Sequence, residues 1–598
     1  MIGLRVYDSS YINQVTGFHS VIDNEFIDQT RAMRISYTQN LIAANNKMTG
    51  CGITLFGYDH NEWTTHTIET SNLIDGKPVY YIVGEDDPQS PEDAGELIFA
   101  DCTNIAIKDR SFGSGLSGII LGVCEGISIE DVEFSDSYVG VLAAWSHNLD
   151  VQDVVGQDMY AAAYFAGCVN VTVKDCRFDR CSYGGIVMDG SSTGHLFDNI
   201  LNEAPMLLYS LSWSNVTGNE FAGGTTGIQL YSGFRVNITR NTLNGLENGV
   251  TIYDSRGCLL RENTCTDGSN GFFLDYSSEI EIDDNLAENN KVGIRLSYSD
   301  LNLMINNRII NNRIGIMCNH SDSNDIFNST ISGNKLSGAM LNRTIETRFM
   351  NNLFSNNTGY AIAIDPEAPF DNFPWYRFEN SSENLFYFNS FENNNAGGTQ
   401  ALDNGYNNQW NENIGGNLWS EWTGPDQDED GFVDDPYHLD GTASSKDLLP
   451  LSVIPKTDTD GDGFHDHVEE MFQTDIYDNR SHPPDADGDL LPNEIDPDID
   501  GDGKMNEEDR DMDGDGRDNE DDLYPKDPDR WEEEEEGWSV LGMAFFAAIV
   551  LLVLGLFICL IVVLVKRRKR AKDSPDIDRI KDGSEEKEGT DSDEVPKT

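Results

Sequence analysis

Toward the C-terminal end of the sequence, aspartates alternate with small residues ahead of a glycine, and the pattern repeats. Asp458, Asp460, Asp462, Gly463, Asp466 and Glu469 fall at positions 1, 3, 5, 6, 9 and 12 of a D-x-D-x-D-G-x-x-D-x-x-E loop. Calcium takes about six to eight oxygens at roughly 2.3–2.6 Å, and alternate carboxylates around a tight glycine turn present them. Phe464, at position 7, offers its backbone carbonyl. Copies follow at Asp485, Asp487, Asp489 and Asn493, at Asp498, Asp500, Asp502, Asn506 and Asp509, and at Asp511, Asp513, Asp515, Asn519 and Asp522. An earlier copy, Asp426, Asp428, Asp430 and Asp434, precedes them. The 485 copy has Leu490 where glycine is wanted. A merely acidic spacer would not place carboxylates at alternate positions before glycine. Structural Ca2+ is therefore the expected cofactor, stiffening loops that would otherwise be extended by self-repulsion.

A second set of acids recurs upstream. Asp131, Asp153 and Asp175 are 22 residues apart, and stacked one above another they would form a column of carboxylates about 4.8 Å apart. Two carboxylates about 5–9.5 Å apart are what glycoside hydrolysis uses, so these three are the weak catalytic candidates, with Lys174, Arg177 and Arg180 available to neutralise charge. Ionised acids at that spacing need a cation, a raised pKa or splay into water; splay is the simplest expectation. Copper would want clustered Cys, Met or His. Met317, Cys318 and His320 come nearest, a Cys and a His two apart facing one side of a strand, and His60 and His66 form another pair. Neither has further ligands close in sequence, so copper is not expected.

The elements that must position these groups are read from a repeat. Gly227, Gly249, Gly271, Gly293 and Gly315 recur at steps of 22, as do Val216, Ile238, Leu260, Ile282 and Met304, and Asn219, Asn241, Asn263, Asn285 and Asn307. Short β-branched and apolar runs separated by Gly, Asn, Asp and Ser carry no helical period. A period this short means a coil of short strands stacked on the next, with inward residues forming one continuous core and no coil stable alone. The expected fold is all-β, a right-handed parallel β-helix of at least eleven coils with an asparagine ladder. Cys102 and Cys124, one period apart, are placed for either a strained disulfide or two stacked thiols.

Composition bounds the rest. The chain has 598 residues, 40 Lys+Arg against 104 Asp+Glu and a formal charge of −64, which argues against nucleic acid or anionic lipid as partner. Residues 458–536 hold 33 acids against 6 bases. Residues 537–565 are free of charge and are followed by Lys566-Arg567-Arg568-Lys569-Arg570. That predicts a transmembrane helix with the C-terminus cytoplasmic and the large N-terminal part outside. Residues 566–598 are expected to be a disordered tail. No export signal opens the chain, so missing residues upstream are expected.

Three passages resemble the NosD-type, carbohydrate-binding-and-sugar-hydrolase family of surface β-helices, particularly archaeal members. They are Trp63-Thr64-Thr65-His66 through Asn72 and Asp75-Gly76-Lys77-Pro78-Val79-Tyr80-Tyr81, the coils themselves, and the block Asn384 to Asn389, Trp410, Gly416 to Trp422 and Asp434-Asp435-Pro436-Tyr437. The acidic loops are similar to thrombospondin type-3 repeats. The resemblances imply a β-helix over 1–366, interrupted at about 58–98, a closure at 367–452, calcium repeats at 453–530, an acidic linker at 531–536, then the span and tail. The function expected is a membrane-anchored surface protein that binds carbohydrate or adheres through it, with Trp145, Tyr160, Tyr164, Trp213, Tyr231 and Tyr253 as aromatic platforms. The alternatives are a polysaccharide lyase or glycoside hydrolase, and a copper-site assembly factor.

Overall fold

The computed structural model describes residues 2–7, 19–29, 31–113, 117–365, 380–412, 415–427 and 431–452. Beyond these it describes 460, 462, 464, 469, 472, 474–486, 492–493, 499–500, 506, 509–519 and 522–526. The chain divides into two compact units, Met1–Glu508 and Asp509–Thr598.

The first unit is a parallel β-helix of about sixteen turns. Coils are about 22 residues long because each strand pairs with its counterpart one coil on: Ile228 with Val250, Val250 with Phe272, Phe272 with Ile294. These residues are wholly buried and belong to one core cluster running the length of the helix. No coil could bury its apolar face alone, which is why the repeat is obligatory.

Each coil turns at corners built from two residues. The first adopts a left-handed conformation and the second points inward. Asp198-Asn199, Arg240-Asn241, Asp284-Asn285 and Asn306-Asn307 are examples, with φ of 57°, 54°, 47° and 55° at the first residue. The inward asparagine bridges coils. Oδ1 of Asn263 accepts from the amide N of Asn241 at 3.0 Å and from Asn241 Nδ2 at 2.9 Å, while its own Nδ2 donates to the Ile238 carbonyl at 2.7 Å. The corner amides that no strand can pair are thus satisfied by side chains. A second ladder runs through Ser255, Ser277, Ser299 and Ser321, and a third through Asn290, Asn312, Asn334, Asn357 and Asn394.

The N-terminal coils, with strands Arg31–Ser36 and Ile53–Phe56 and the short helix His60–Thr64, lie against the outside of the main helix. Trp63 is wholly buried there and passes so close to Gly122 that a Cβ on that glycine would collide with the indole. Trp145 Nε1 donates to the Gly57 carbonyl at 2.9 Å. The interruption expected at 58–98 contains this helix and the antiparallel pairing of Leu73–Ile74 with Lys77–Val83.

The single-pass cell-membrane placement needs correction. Among the described residues no helix is long and apolar enough to cross a membrane. A charge-free run spans a bilayer only as a continuous helix that satisfies its own backbone. The segment 537–565, like 527–598 as a whole, lies outside the described residues.

Candidate functional site

One outer face of the helix carries a graded set of side chains. Pairing in turn along it are Ile98, Ile120, Leu142, Tyr164, Val187, Leu207, Gln229, Thr251, Phe273, Arg295 and Met317. The early members are covered by the N-terminal coils. Tyr164 is followed by Val187 and Leu207, buried members of the same apolar cluster as those coils. From Gln229 the column becomes polar and aromatic, and the window from Tyr164 to Arg295 is six coil steps, about 29 Å at roughly 4.8 Å each.

Beside it stands a row of rings. Tyr209, Tyr231 and Tyr253 occupy the strand end, and Tyr276, Tyr298 and His320 the adjoining left-handed corner, with φ of 52°, 49° and 51°. Tyr276 and Tyr298 stack at 4.9 Å and 4°, Tyr298 and His320 at 4.7 Å and 15°. Where the row slips by one residue, Tyr253 tilts 56° from Tyr231 and 68° from Tyr276. Tyr276 is 54% exposed and Tyr253 37%. Polar groups interleave: Tyr164 Oη donates to Asp189 at 3.0 Å and Gln229 Nε2 to Tyr231 Oη at 2.8 Å. Burial first, then the Asp189 carboxylate, pushes the Tyr164 hydroxyl pKa up.

Of the aromatics named from sequence, Tyr164, Tyr231 and Tyr253 lie in this window. Trp145 is used to hold the N-terminal coils, and Tyr160 stacks between Tyr138 and Tyr183 at 4.4 and 4.8 Å. Trp213 stands elsewhere, under Arg235 at 4.8 Å. Sequence reading missed Tyr209, Tyr276, Tyr298, His320 and Arg295. The steps from Tyr253 to Tyr276, Tyr298 and His320 were visible, but not that they make one row.

Asp131, Asp153 and Asp175 are exposed and occupy a different corner, each left-handed with φ of 53–54°. Asp109 and Asp198 hold the same slot with φ of 54° and 57°. Aspartate tolerates that conformation far better than most residues, so backbone geometry accounts for the column. Lys108 Nζ lies 3.8 Å from Asp131 and 2.9 Å from Glu130.

Among the acidic loops, Asp458, Asp466, Asp487, Asp489, Asp498, Asp502, Asp428 and Asp430 lie outside the described residues. Carboxylate oxygens of Asp460, Asp462 and Glu469 lie within 4.8 Å of one another, as do those of Asp511, Asp513 and Asp515. Phe464 is buried and stacks on His482. One bond recurs, from the amide of position 2 to the side-chain oxygen of position 9. It joins Gln427 to Asp434, Ala486 to Asn493, Ile499 to Asn506 and Met512 to Asn519, at 3.2, 2.8, 3.1 and 3.0 Å. At position 6, Gly431 and Gly516 donate back to Asp426 and Asp511 at 3.2 and 2.9 Å. One oxygen each of Asp426, Asp462, Asp511, Asp515 and Asp522 is buried without a hydrogen-bond partner among the described residues. Asp485, Asp500 and Asp509 are also among the described residues.

The family profile described as periplasmic copper-binding protein (NosD) matches residues 102–244 and 214–424, together more than half of the sequence. The chain belongs to the NosD family. Solved structures similar to it include a double mutant of the periplasmic alginate epimerase AlgG (14% identity, 49% of this chain and 75% of that one, TM-score 0.31). The Azotobacter vinelandii mannuronan C-5 epimerase AlgE6 A-module is another (13%, 56% and 90%, 0.32), and the Dettilon tailspike protein a third (12%, 54% and 59%, 0.30). Comparison with curated proteins gave no match.

The NosD description names copper, and the described residues do not fit it. Cys318 points into the core, fully buried, and burial pushes its thiol up to about 12. His320 is not on the same side of the strand as expected: the strand ends at Asn319 and the left-handed corner turns the imidazole outward, stacked on Tyr298 and 3.0 Å from Arg343. Met317 points away from Cys318, since alternate residues face opposite sides. His66 lies between the Leu41 amide and the Glu62 carbonyl, and His60 beside Asp101 at 3.1 Å. The nine described cysteines are all free and buried, which resolves Cys102 and Cys124 as thiols. A thiolate ligand needs a lowered pKa, and burial pushes Cys124 up to about 12.

Proposed function

We propose that this NosD-family chain binds glycan chains along the outer face between Tyr164 and Arg295. The observation that carries the reading is the open row of rings and hydrogen-bonding groups in coil register. Rings stacked on one another cover their faces and present phenolic edges, so the row offers hydroxyls to sugar hydroxyls. Only where Tyr253 tilts does a ring face open toward an apolar sugar surface. Gln229, Thr251, Asp189 and Asp275 supply further donors and acceptors. The role is to hold a glycan, as a carbohydrate-binding or adhesive protein does, rather than to cleave it; the Asp131, Asp153 and Asp175 column belongs to another corner.

The acidic loops, in this proposal, hold structural Ca2+. The motif spacing supports it, and so do the buried carboxylate oxygens, which are costly without a cation. Their contribution is stiffness rather than chemistry.

The test is retention on an array of neutral and acidic polysaccharides, with calcium and after chelation, read together with product release. Tyr253→Ala with Tyr276→Ala should weaken retention on the order of tenfold, a loss of stacking and hydrogen bonding worth ~1.4 kcal/mol. Release of new chain ends would make the protein an enzyme and overturn the reading. For the loops, Asp511→Ala with Asp515→Ala should remove one bound calcium by equilibrium dialysis; unchanged stoichiometry overturns that assignment.

A further inference from the structure

Among the described residues of the window, one cation has no acid on it. Arg295 lies over the Phe273 ring at 4.7 Å, and its Nε is buried with no hydrogen-bond partner among the described residues. Six other arginines on the helix are different. Arg177, Arg180, Arg240, Arg256, Arg261 and Arg348 each hold a carboxylate. In a chain with 104 acids and 40 bases, Arg295 stands on this face with no acid on it among the described residues. One coil beyond Phe273, away from Arg295, Thr251 has a buried hydroxyl that also lacks a partner among the described residues. Thr251, Phe273 and Arg295 pair in sequence, so the hydroxyl and the guanidinium flank the ring about 9.6 Å apart along the axis.

We infer that Thr251, Phe273 and Arg295 form a subsite for an acidic sugar unit, one carrying a carboxylate or sulfate, within an otherwise neutral glycan. The inference rests on the reading of this face as a glycan site and names its substrate class. The stacked ring fixes the plane of the guanidinium, and a planar fork held without a protein acceptor matches a carboxylate or sulfate edge. The acidic unit must be sparse. Asp189 and Asp275 lie on the same face, and the net charge of −64 repels a densely charged polyuronate at long range.

The test uses the full chain with glucuronoxylan, its carboxyl-reduced form and polygalacturonate as probes, at two salt concentrations. Glucuronoxylan is expected to bind at least roughly tenfold more tightly than its reduced form, the scale of one charge-assisted hydrogen bond, and polygalacturonate more weakly than glucuronoxylan. Arg295→Ala should abolish the preference for glucuronoxylan over its reduced form; Arg295→Lys should restore part of it. Equal binding of both xylans, or a preference that survives Arg295→Ala, overturns this inference alone. Binding of none of the probes overturns it together with the glycan reading.

Discussion

The early and late coils of this helix turn the same corner in two ways. Between residues 103 and 189 the strands run long: Thr103–Phe112, Glu125–Ser135, Val155–Ala166 and Arg177–Asp189 have 10, 11, 12 and 13 residues. There the inward corner residues are Val132, Val154 and Cys176. At the first, backbone pairing carries through the bend, as Lys108 with Glu130 and Arg110 with Val132. At the other two the strands already break, Gln152 from Val155 and Lys174 from Arg177, and the Cys176 amide donates to Asn199 Oδ1 at 3.0 Å. From Asn199 onward the strands at that corner shrink to three residues, such as Glu220–Ala222 and Thr264–Thr266. The inward residue becomes asparagine, whose carboxamide takes over the amides that shorter strands leave unpaired. The difference teaches that the apolar stack alone does not define a coil. Something must satisfy the bend, and either backbone or side chain can do it.

The largest expected break lies in the late coils. Asn263→Ala strips the partners from the Asn241 amide and the Ile238 carbonyl, both deep inside. At ~1–3 kcal/mol for each buried group left unmet, the loss should be on the order of 3–5 kcal/mol, read from the guanidinium unfolding midpoint. Hydrogen exchange should rise first in the adjoining coils, since each coil leans on its neighbours.

Next comes the end of the ladder. Its last rung is not an asparagine but Asp447, whose Oδ2 accepts from the Asn417 amide at 2.7 Å and from Trp419 Nε1 at 3.0 Å. Burial pushes its carboxyl up to about 6, against the pull of those bonds. The folded state therefore holds the proton more tightly than the unfolded one. This stabilisation is complete below the ordinary carboxylate pKa near 4 and is lost as pH rises through about 6, for a total of ~3 kcal/mol. Unfolding midpoints at pH 4, 5, 6 and 7 should show that slope in the wild type and not in Asp447→Asn.

A smaller effect separates conformation from charge at the acid column. Asp153→Val places a β-branched residue at φ 53° and should cost about 1–2 kcal/mol, whereas Asp153→Asn should be near neutral. Glycan retention should be unchanged in both; its loss in Asp153→Asn would restore a functional role to these acids. Smallest of all, Cys124→Ser should shift stability by less than about 1 kcal/mol, because Ser146 already fills the equivalent slot one coil on, its Oγ accepting the Cys124 amide at 3.0 Å. A large loss would mean that the early coils depend on their thiols.

Much of this was legible in the residues. The rows of Gly, Ile and Asn at steps of 22 reveal the stack because an inward slot must stay apolar, and a ladder slot polar, in every coil. The alternate aspartates before glycine are legible for the same local reason. The window face was not. Coil lengths vary: 20 residues separate Asn199 from Asn219, 22 separate Asn219 from Asn241, and 37 separate Thr344 from Ser381. Such slips decide which rings share a row, and only pairing across coils counts them. Likewise the acid column reads as chemistry until the backbone shows each aspartate in the left-handed region. His320 reads as a neighbour of Cys318 until the corner turns it outward. The sequence by itself determined the period, the inward core and the loop motif, since these depend on residue type and local spacing. Tertiary structure decided which outer face stays open beyond the N-terminal coils and that Arg295 meets no acid there, because exposure and partnership on a helix surface are set by residues far apart in the chain.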